Sequence, residues 1–145
     1  MKPLPVVASI MDAEFVKLDA ETPIKEAVET LWRKRLFGAC VVDKEGKLVG
    51  IMAEKECLKI YHQALVTGNP RLLEEKNLAD IVPSGFKTVP STMGIFDLAQ
   101  IFLENEFRRL PVVDNGVLVG QITRRDLMRA IRQYSQKESF RMERQ

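Results

Sequence analysis

Residues 110–120 read LPVVDNGVLVG and residues 39–50 read ACVVDKEGKLVG, so the chain carries nearly the same pattern twice. The two stretches come into register when Phe15 is aligned with Phe86, an offset of 71 residues. The second turn is one residue shorter, and the glycine, leucine and valine around it still match. A repeat of this length is one supersecondary unit rather than a short solenoid repeat. The sequence therefore predicts two similar copies of one small fold.

The size of each copy predicts how the two copies are arranged. A copy of roughly 60 residues buries too little apolar surface to be stable by itself. We therefore expect the copies to pack face to face around a pseudo-twofold axis. Such packing creates clefts between the halves, and a cleft is where a ligand site is expected.

Each copy reads as strand, helix, strand, strand and helix, which predicts an α/β (α+β) fold of two tandem βαββα repeats. In the first copy, Thr22-Pro23 predicts a helix start, with threonine as N-cap and proline at the first helical position. Apolar residues then recur at helical spacing and form one face. The other predicted elements are an extended piece at 15–18, strands at 39–42 and 48–52, and a helix at about 54–66.

The second copy repeats this order. Asp114-Asn115-Gly116 predicts a tight hairpin turn. Ser91-Thr92 precedes the first predicted helix of this copy, and the last helix is predicted to begin near Arg125. The polar C-terminal tail is expected to be frayed, or ordered only against a partner. The predicted boundaries are a first repeat at 1–68, a linker at 69–76, a second repeat at 77–134 and the tail at 135–145.

Composition excludes several classes of protein. A chain with 46% hydrophobic and 29% charged residues is typical of a soluble globular protein. Its apolar runs are too short to span a membrane, and its start does not resemble a secretory signal. We therefore expect a cytoplasmic protein without membrane contact. Cys40 and Cys57 predict no disulfide, and the single His62 leaves no nitrogen-rich metal site.

The charge distribution points to an anionic ligand. A formal net charge of +2 argues against bulk nucleic-acid binding. Solvated helix faces explain some of the basic residues, but paired arginines beside a cleft suit a phosphate-bearing ligand. A nucleic-acid surface is the weaker alternative and predicts binding that falls steeply with salt. The arginines of the second copy are Arg108, Arg109, Arg124, Arg125, Arg129 and Arg132.

Residues 120–126, GQITRRD, form the sharpest local motif, where a strand passes into a helix. Unpaired amides at a helix N-terminus attract phosphate, and the Thr123 hydroxyl adds a hydrogen bond there. The Asp126 carboxylate accepts two hydrogen bonds, which suits the vicinal hydroxyls of a ribose. The same Thr-x-x-Asp spacing is also a capping box, in which both side chains only satisfy backbone donors. Both interpretations remain open, and they are compatible.

The repeat and this motif together resemble the CBS domain, a family named after cystathionine β-synthase. The resemblance rests on the LPVVD strand, the LVG return strand and the G-x-I-T-x-x-D motif, and it extends from about Val7 to Tyr134. It implies a paired regulatory module that binds an adenosyl ligand such as AMP, ADP, ATP or S-adenosylmethionine in a cleft between the repeats. It also implies a homodimer.

The resemblance assigns roles to individual residues. Thr123 takes the phosphate and Asp126 the ribose. Gly38 and Ala39 are small enough to let a flat base approach the backbone. The remaining residues that the resemblance implies are Ile122 and Arg124 beside the motif, Met11, Val16 and Phe37 near the adenine, and Arg108 and Arg109 at the phosphates.

The first copy departs from this pattern at the corresponding motif. Ala53 stands where the hydroxyl is expected, and Glu56 stands where the aspartate is expected. Alanine cannot bond a phosphate, and the longer glutamate displaces its carboxylate. The opening segment, Ser9-Ile10-Met11-Asp12, also lacks the threonine that the family usually has after methionine. We therefore expect one good site in the chain and one degenerate site.

The sequence contains no catalytic constellation. No nucleophile has a histidine partner, and there is no glycine-rich phosphate loop with its lysine. The leading hypothesis is therefore a regulatory module, neither an enzyme nor a cofactor carrier, that senses an adenosyl nucleotide and signals to a separate effector protein. The alternative is a dimeric interaction module that needs no ligand, in which Thr123 and Asp126 only cap the helix.

Overall fold

The structure, a computed structural model, describes the backbone of residues 4–144 and the side chains of residues 4–137. The first copy contains strands β1, β2 and β3 and helices α2 and α3, and the second contains α5, β4, β5 and α6. Short helices lie before each copy. The elements in chain order are α1 Val7–Ile10, β1 Lys17–Asp19, α2 Ile24–Arg33, β2 Gly38–Val42, β3 Leu48–Ala53, α3 Glu54–Thr67, α4 Leu72–Glu75, a 3-10 turn Leu78–Asp80, α5 Ile95–Glu104, β4 Arg109–Asp114, β5 Val117–Thr123 and α6 Arg124–Arg144.

The first copy forms a three-stranded sheet in the order β1-β2-β3. β1 pairs in parallel with β2, and β2 pairs antiparallel with β3. β2 is the central strand and is buried along its whole length. α2 adds Ile24, Ala27 and Leu31 to the core, which is the one-sided spacing expected of an amphipathic helix. α3 ends at Thr67, where Gly68 adopts the left-handed conformation.

The second copy repeats the pairing in the same register. Leu18 pairs in parallel with Val41 in the first copy. Val89 and Val112, which lie 71 residues further along, form the equivalent parallel bridge. The hairpin turn between β4 and β5 has positive φ at both central positions, 52° at Asn115 and 82° at Gly116, as a type I′ turn requires. The predicted βαββα order is thus present in the first copy, whereas in the second copy the first strand is reduced to the single bridge at Val89.

The opening segment of each copy packs with the other copy. The chain folds into two compact units, one made of Val16–Phe86 with Gly116–Leu118 and the other of the remaining segments, including the one that ends at Phe15. Val7 is fully buried in the second unit, where its amide donates to the Met93 carbonyl (2.8 Å). We name these the first-copy unit and the second-copy unit, after the helices that they contain.

The helix α2 begins later than the sequence predicts. Pro23 is the N-cap and no side chain caps the helix, so the prediction of Thr22 as N-cap is wrong. The physical reason is that the backbone before the helix pairs with the segment at Asn77 and Leu78. Pro23 and Asn77 form an antiparallel bridge, and the Leu78 amide donates to the Thr22 carbonyl (3.1 Å).

Two polar segments have more structure than their composition predicts. The connector contains the short helix α4, and its Leu72 and Leu73 are buried in the first-copy core. The tail is helical, not frayed, because α6 continues to Arg144, whereas Gln145 lies outside the described residues. This stretch has no glycine or proline and is composed largely of good helix formers. No helix within the described residues is both long and apolar enough to cross a membrane.

We expect Ser91→Ala to make stability less dependent on acid pH. The Ser91 hydroxyl donates to Asp114 Oδ2 (2.5 Å) and the Ser91 amide donates to Oδ1 (3.0 Å). Both bonds lower the pKa of Asp114, and the bond from the hydroxyl has the larger effect. The stabilisation is therefore present above the ordinary carboxyl pKa and is lost as pH falls through the lowered value, below about pH 4. Urea unfolding at a series of pH values should show a shallower acid loss in the variant, and an unchanged slope would contradict this assignment.

Candidate functional site

The strand-to-helix junction of the second copy is held by a reciprocal capping box. Thr123 is the last residue of β5, and α6 begins at Arg124. The Asp126 amide donates to Thr123 Oγ1 (3.1 Å), and the Thr123 amide donates to Asp126 Oδ2 (3.0 Å). The capping interpretation of this motif is therefore confirmed. The bonds also hold the hydroxyl and the carboxylate at one helix start.

The cap leaves acceptor capacity on Asp126. A carboxylate has about four lone-pair sites on its two oxygens. Oδ2 accepts the Thr123 amide, and Oδ1 lies 3.6 Å from Nη1 of Arg129. The Asp126 side chain is 21% exposed, so solvent and ligands have access to it. The arrangement is therefore compatible with two further hydrogen bonds from a diol.

Three arginines lie around this junction. The Arg124 amide donates to the Arg108 carbonyl (3.2 Å), which joins the start of α6 to the segment before β4. The Arg124 guanidinium donates from Nη2 to the Asn105 carbonyl (3.1 Å). Arg108 is exposed and Arg109 is half-buried. Together they supply positive charge beside a helix N-terminus, which is favourable for an anion.

The opening segment of the chain borders β5 in the same unit. Asp12 and Gln121 exchange two backbone hydrogen bonds of 2.9 and 3.0 Å. A Cβ on Gly120 would lie 2.6 Å from Sδ of Met11 and 3.1 Å from the Asp12 carbonyl oxygen. Gly120 is therefore required for this close approach. The Asp12–Gln121 pairing was not foreseen, because no local pattern links residues so distant in sequence.

The second-copy unit contains seven of the eleven site residues proposed from the sequence. Among them, the Ile122 side chain is fully buried and belongs to the core, so it is not accessible to a ligand. Met11 is half-buried and packs against the same core. The seven residues are Met11, Arg108, Arg109, Ile122, Thr123, Arg124 and Asp126.

The other four proposed site residues belong to the first-copy unit. Gly38 has a clear structural role, since an added Cβ would lie 2.7 Å from the Met52 carbonyl oxygen of the neighbouring strand. Ala39 is buried in the first-copy core, and Val16 is half-buried against it. Phe37 is 71% exposed.

The equivalent junction of the first copy carries only half of the cap. Glu56 Oε2 accepts a hydrogen bond from the Ala53 amide (3.1 Å), as Asp126 does from Thr123. Ala53 has no oxygen to return the bond or to meet a phosphate. Gly50 is pressed against Val82, and an added Cβ would lie 2.8 Å from that side chain. This junction therefore lacks the hydroxyl that Thr123 supplies in the second copy.

The described residues include two cysteines and one histidine. They contain no group of three or more histidine, cysteine, aspartate or glutamate side chains that could bind a metal ion. Cys40 and Cys57 are not joined by a disulfide. Burial, with a smaller contribution from Glu56, raises the pKa of the Cys57 thiol, so it is a poor nucleophile at neutral pH. His62 is exposed on α3.

Comparison with known proteins gives a match in each copy. The CBS domain family model matches residues 7–63 and 78–133. The solved structure of CBSX2 from Arabidopsis thaliana in complex with AMP is 29% identical to this chain. It has a TM-score of 0.75, with 90% of this chain and 98% of that chain covered.

Longer proteins also contain a segment similar to this chain. The uncharacterized protein MJ1225 of Methanocaldococcus jannaschii is 30% identical over 125 residues, covering 86% of this chain and 42% of its own length. The A-adding tRNA nucleotidyltransferase of Aquifex aeolicus is 27% identical over 127 residues, covering 88% of this chain and 14% of its own length. This chain thus spans less than half the length of either relative.

Proposed function

Because this chain belongs to the CBS domain family, we propose that it is a regulatory module that binds an adenosyl nucleotide and signals to a separate protein. The observation that carries this proposal is the α6 junction, where the capped Thr123 and Asp126 face an arginine-rich segment. The AMP complex of CBSX2, a relative that matches almost along its whole length, supports the ligand class.

In the proposed site, different side chains bind different parts of the nucleotide. The Asp126 carboxylate accepts the ribose hydroxyls through its spare lone pairs. The Thr123 hydroxyl oxygen accepts a hydrogen bond from the Asp126 amide. The hydroxyl can therefore donate its own proton to a phosphate oxygen. Arg108 and Arg109 neutralise the phosphate charge. The arginines favour AMP, ADP or ATP over S-adenosylmethionine, whose sulfonium is a cation.

The adenine side of the site is proposed from the resemblance. It comprises Met11, Val16, Phe37, Gly38 and Ala39, with Ile122 and Arg124 beside the motif. An adenine base would recognise backbone groups and apolar side chains there, which is the usual composition of a ligand pocket.

The experiment is isothermal titration calorimetry of the protein with AMP, ADP, ATP and S-adenosylmethionine. We expect micromolar affinity and one site per chain for a phosphate-bearing ligand. A thermal-shift scan with the same four ligands provides an independent signal. No heat and no shift with any of them would overturn the nucleotide-sensing proposal.

Signalling to a partner protein is the second part of the proposed function. Nucleotide stabilises one arrangement of the module, and a separate effector protein binds that arrangement. The module is proposed to be a homodimer in the cytoplasm and not an enzyme. The tRNA nucleotidyltransferase, of which this chain covers 14%, carries a similar segment within a much longer enzyme.

A ligand-independent interaction module is the second candidate function. The observation in its favour is that Thr123 and Asp126 already satisfy each other's backbone amides without any ligand. This candidate predicts that the homodimer forms and that all four nucleotides fail to bind.

A further inference from the structure

The two copies end their first helix in different ways. α2 is closed by the backbone that follows it: the Arg35 amide donates to the Trp32 carbonyl (3.2 Å), and the Leu36 amide donates to the Leu31 carbonyl (2.9 Å). This pattern is the Schellman motif, which places a left-handed residue just beyond the helix, and Arg35 has a φ of 55°. The end of α2 is therefore closed without a side chain from another element.

α5 lacks this closure and ends on two side chains. Glu106, at the repeat position of Arg35, does not adopt a positive φ, and Asn105 is extended. Instead, Nδ2 of Asn105 donates to the Ile101 carbonyl (2.9 Å), and Nη2 of Arg124 donates to the Asn105 carbonyl (3.1 Å). The helix dipole favours a cation at the carbonyl end of a helix. The end of α5 thus depends on a residue of α6.

Arg124 holds the segment after α5 at both of its ends. Its guanidinium binds the carbonyl of Asn105, and its backbone amide donates to the Arg108 carbonyl (3.2 Å). We name these two bonds the Arg124 tie. They fix residues 105–108 against the start of α6, and Arg108 is one of the proposed phosphate-binding residues. Holding a binding segment in place before the ligand arrives lowers the cost of ordering it on binding.

The first copy lacks both the Arg124 tie and the complete capping box. The residue at the repeat position of Arg124 is Glu54, whose carboxylate cannot donate a hydrogen bond to a carbonyl group. The same junction has Ala53 at the position of Thr123. The tie is therefore present in the copy that has the proposed nucleotide motif and is absent from the copy that lacks it.

We propose that Arg124 is a positioning residue, which closes α5 and holds Arg108 beside the α6 junction for the phosphate of the ligand. The closure of α5 is a property of the free protein, whereas the effect on binding rests on the proposed function. This role differs from direct contact with the ligand, because Arg124 acts through Asn105 and Arg108.

Hydrogen exchange in the free protein tests the closure. Arg124→Ala removes the bond from the guanidinium to Asn105 and keeps the backbone bond to Arg108. We expect amide exchange at the end of α5 and in residues 105–108 to become about fivefold faster. The control is Arg125→Ala, since Arg125 is the exposed neighbour and its loss removes the same charge. Exchange as slow in Arg124→Ala as in the control would overturn the proposal.

Calorimetry with AMP and adenosine separates the phosphate from the rest of the ligand. We expect Arg124→Ala to weaken AMP binding about tenfold. The affinity for adenosine should not change, since adenosine has no phosphate for Arg108 to bind. Arg125→Ala should leave both affinities unchanged. Equal weakening of AMP and adenosine by Arg124→Ala would contradict a role in phosphate binding.

A second substitution distinguishes positioning from direct contact with the phosphate. Glu106→Gly, combined with Arg124→Ala, allows α5 to close on its own backbone as α2 does, because glycine adopts the left-handed conformation freely. We expect this double variant to regain affinity for AMP. Glu106→Ala in the same background is the matched control, since it removes the same carboxylate but resists that conformation. If the two double variants bound AMP equally, the positioning role would be wrong.

The outcomes separate this inference from the proposed function. A protein that binds none of the four nucleotide ligands overturns the proposed function, while the exchange experiment still decides whether Arg124 closes α5. AMP binding that Arg124→Ala leaves intact keeps the nucleotide sensor and removes the positioning role.

Discussion

Asp126→Ala is expected to abolish nucleotide binding, lowering the affinity by at least about 100-fold. Under the proposed function, the substitution removes two charge-assisted hydrogen bonds to the ribose, each worth roughly 1.5–3 kcal/mol. It also removes the acceptor of the Thr123 amide (3.0 Å), which should lower the free energy of unfolding by about 1 kcal/mol. Calorimetry measures the first effect and urea unfolding the second.

Glu56→Ala is the matched control for that variant. It removes the corresponding capping bond of the first copy, from the Ala53 amide to Glu56 Oε2 (3.1 Å). The cost in stability should be similar, about 1 kcal/mol, and nucleotide affinity should not change. If the two variants lost affinity equally, the loss would reflect general destabilisation and the ribose role of Asp126 would be wrong.

Leu98→Ala is expected to have the largest effect on stability, about 2–5 kcal/mol. Leu98 is fully buried in the second-copy core and lies at the middle of α5. The substitution leaves a cavity that the surrounding side chains fill only in part. Urea unfolding monitored by circular dichroism should show a lower midpoint.

Leu103→Ala provides the comparison within the same helix. The residue is 85% exposed, so its truncation removes little buried surface. At protein concentrations where the chains are single, we expect a change within about 0.5 kcal/mol. A loss from Leu103→Ala as large as that from Leu98→Ala would mean that the buried face of α5 is misassigned.

The repeat and the local signals were sufficient to predict the main helices and the β2–β3 and β4–β5 hairpins, but not the short helix α4 or the helical tail. The offset between the copies predicted the shared strand register, and Asn115-Gly116 predicted the hairpin turn, because positive φ favours these residues. Local sequence patterns could not predict backbone pairing between residues that are distant in sequence. Thr22 fits an N-cap by itself, yet the bridge between Pro23 and Asn77 moves the helix start.

The candidate site was predictable in its chemistry but not in its assembly. Spacing alone identified Thr123 and Asp126 as a cap or a nucleotide site, and the hydrogen bonds confirm the cap. The contact of Met11 with Gly120 depends on the exchanged opening segment, for which the sequence has no local signal. Ile122 is buried in a core to which Val7, Ile10 and Met11 of that segment also contribute.

The exchange of opening segments determines the order in which this protein is completed during synthesis. The ribosome makes the segment with Val7 before its backbone partners Ser91 and Met93, which emerge more than eighty residues later. The first-copy unit, whose chain is nearly complete at Phe86, acquires its own core while Val7 is still exposed. The segment around Val7 therefore stays without these partners until Ser91 and Met93 have emerged, and the α6 junction forms only after the second hairpin has been made.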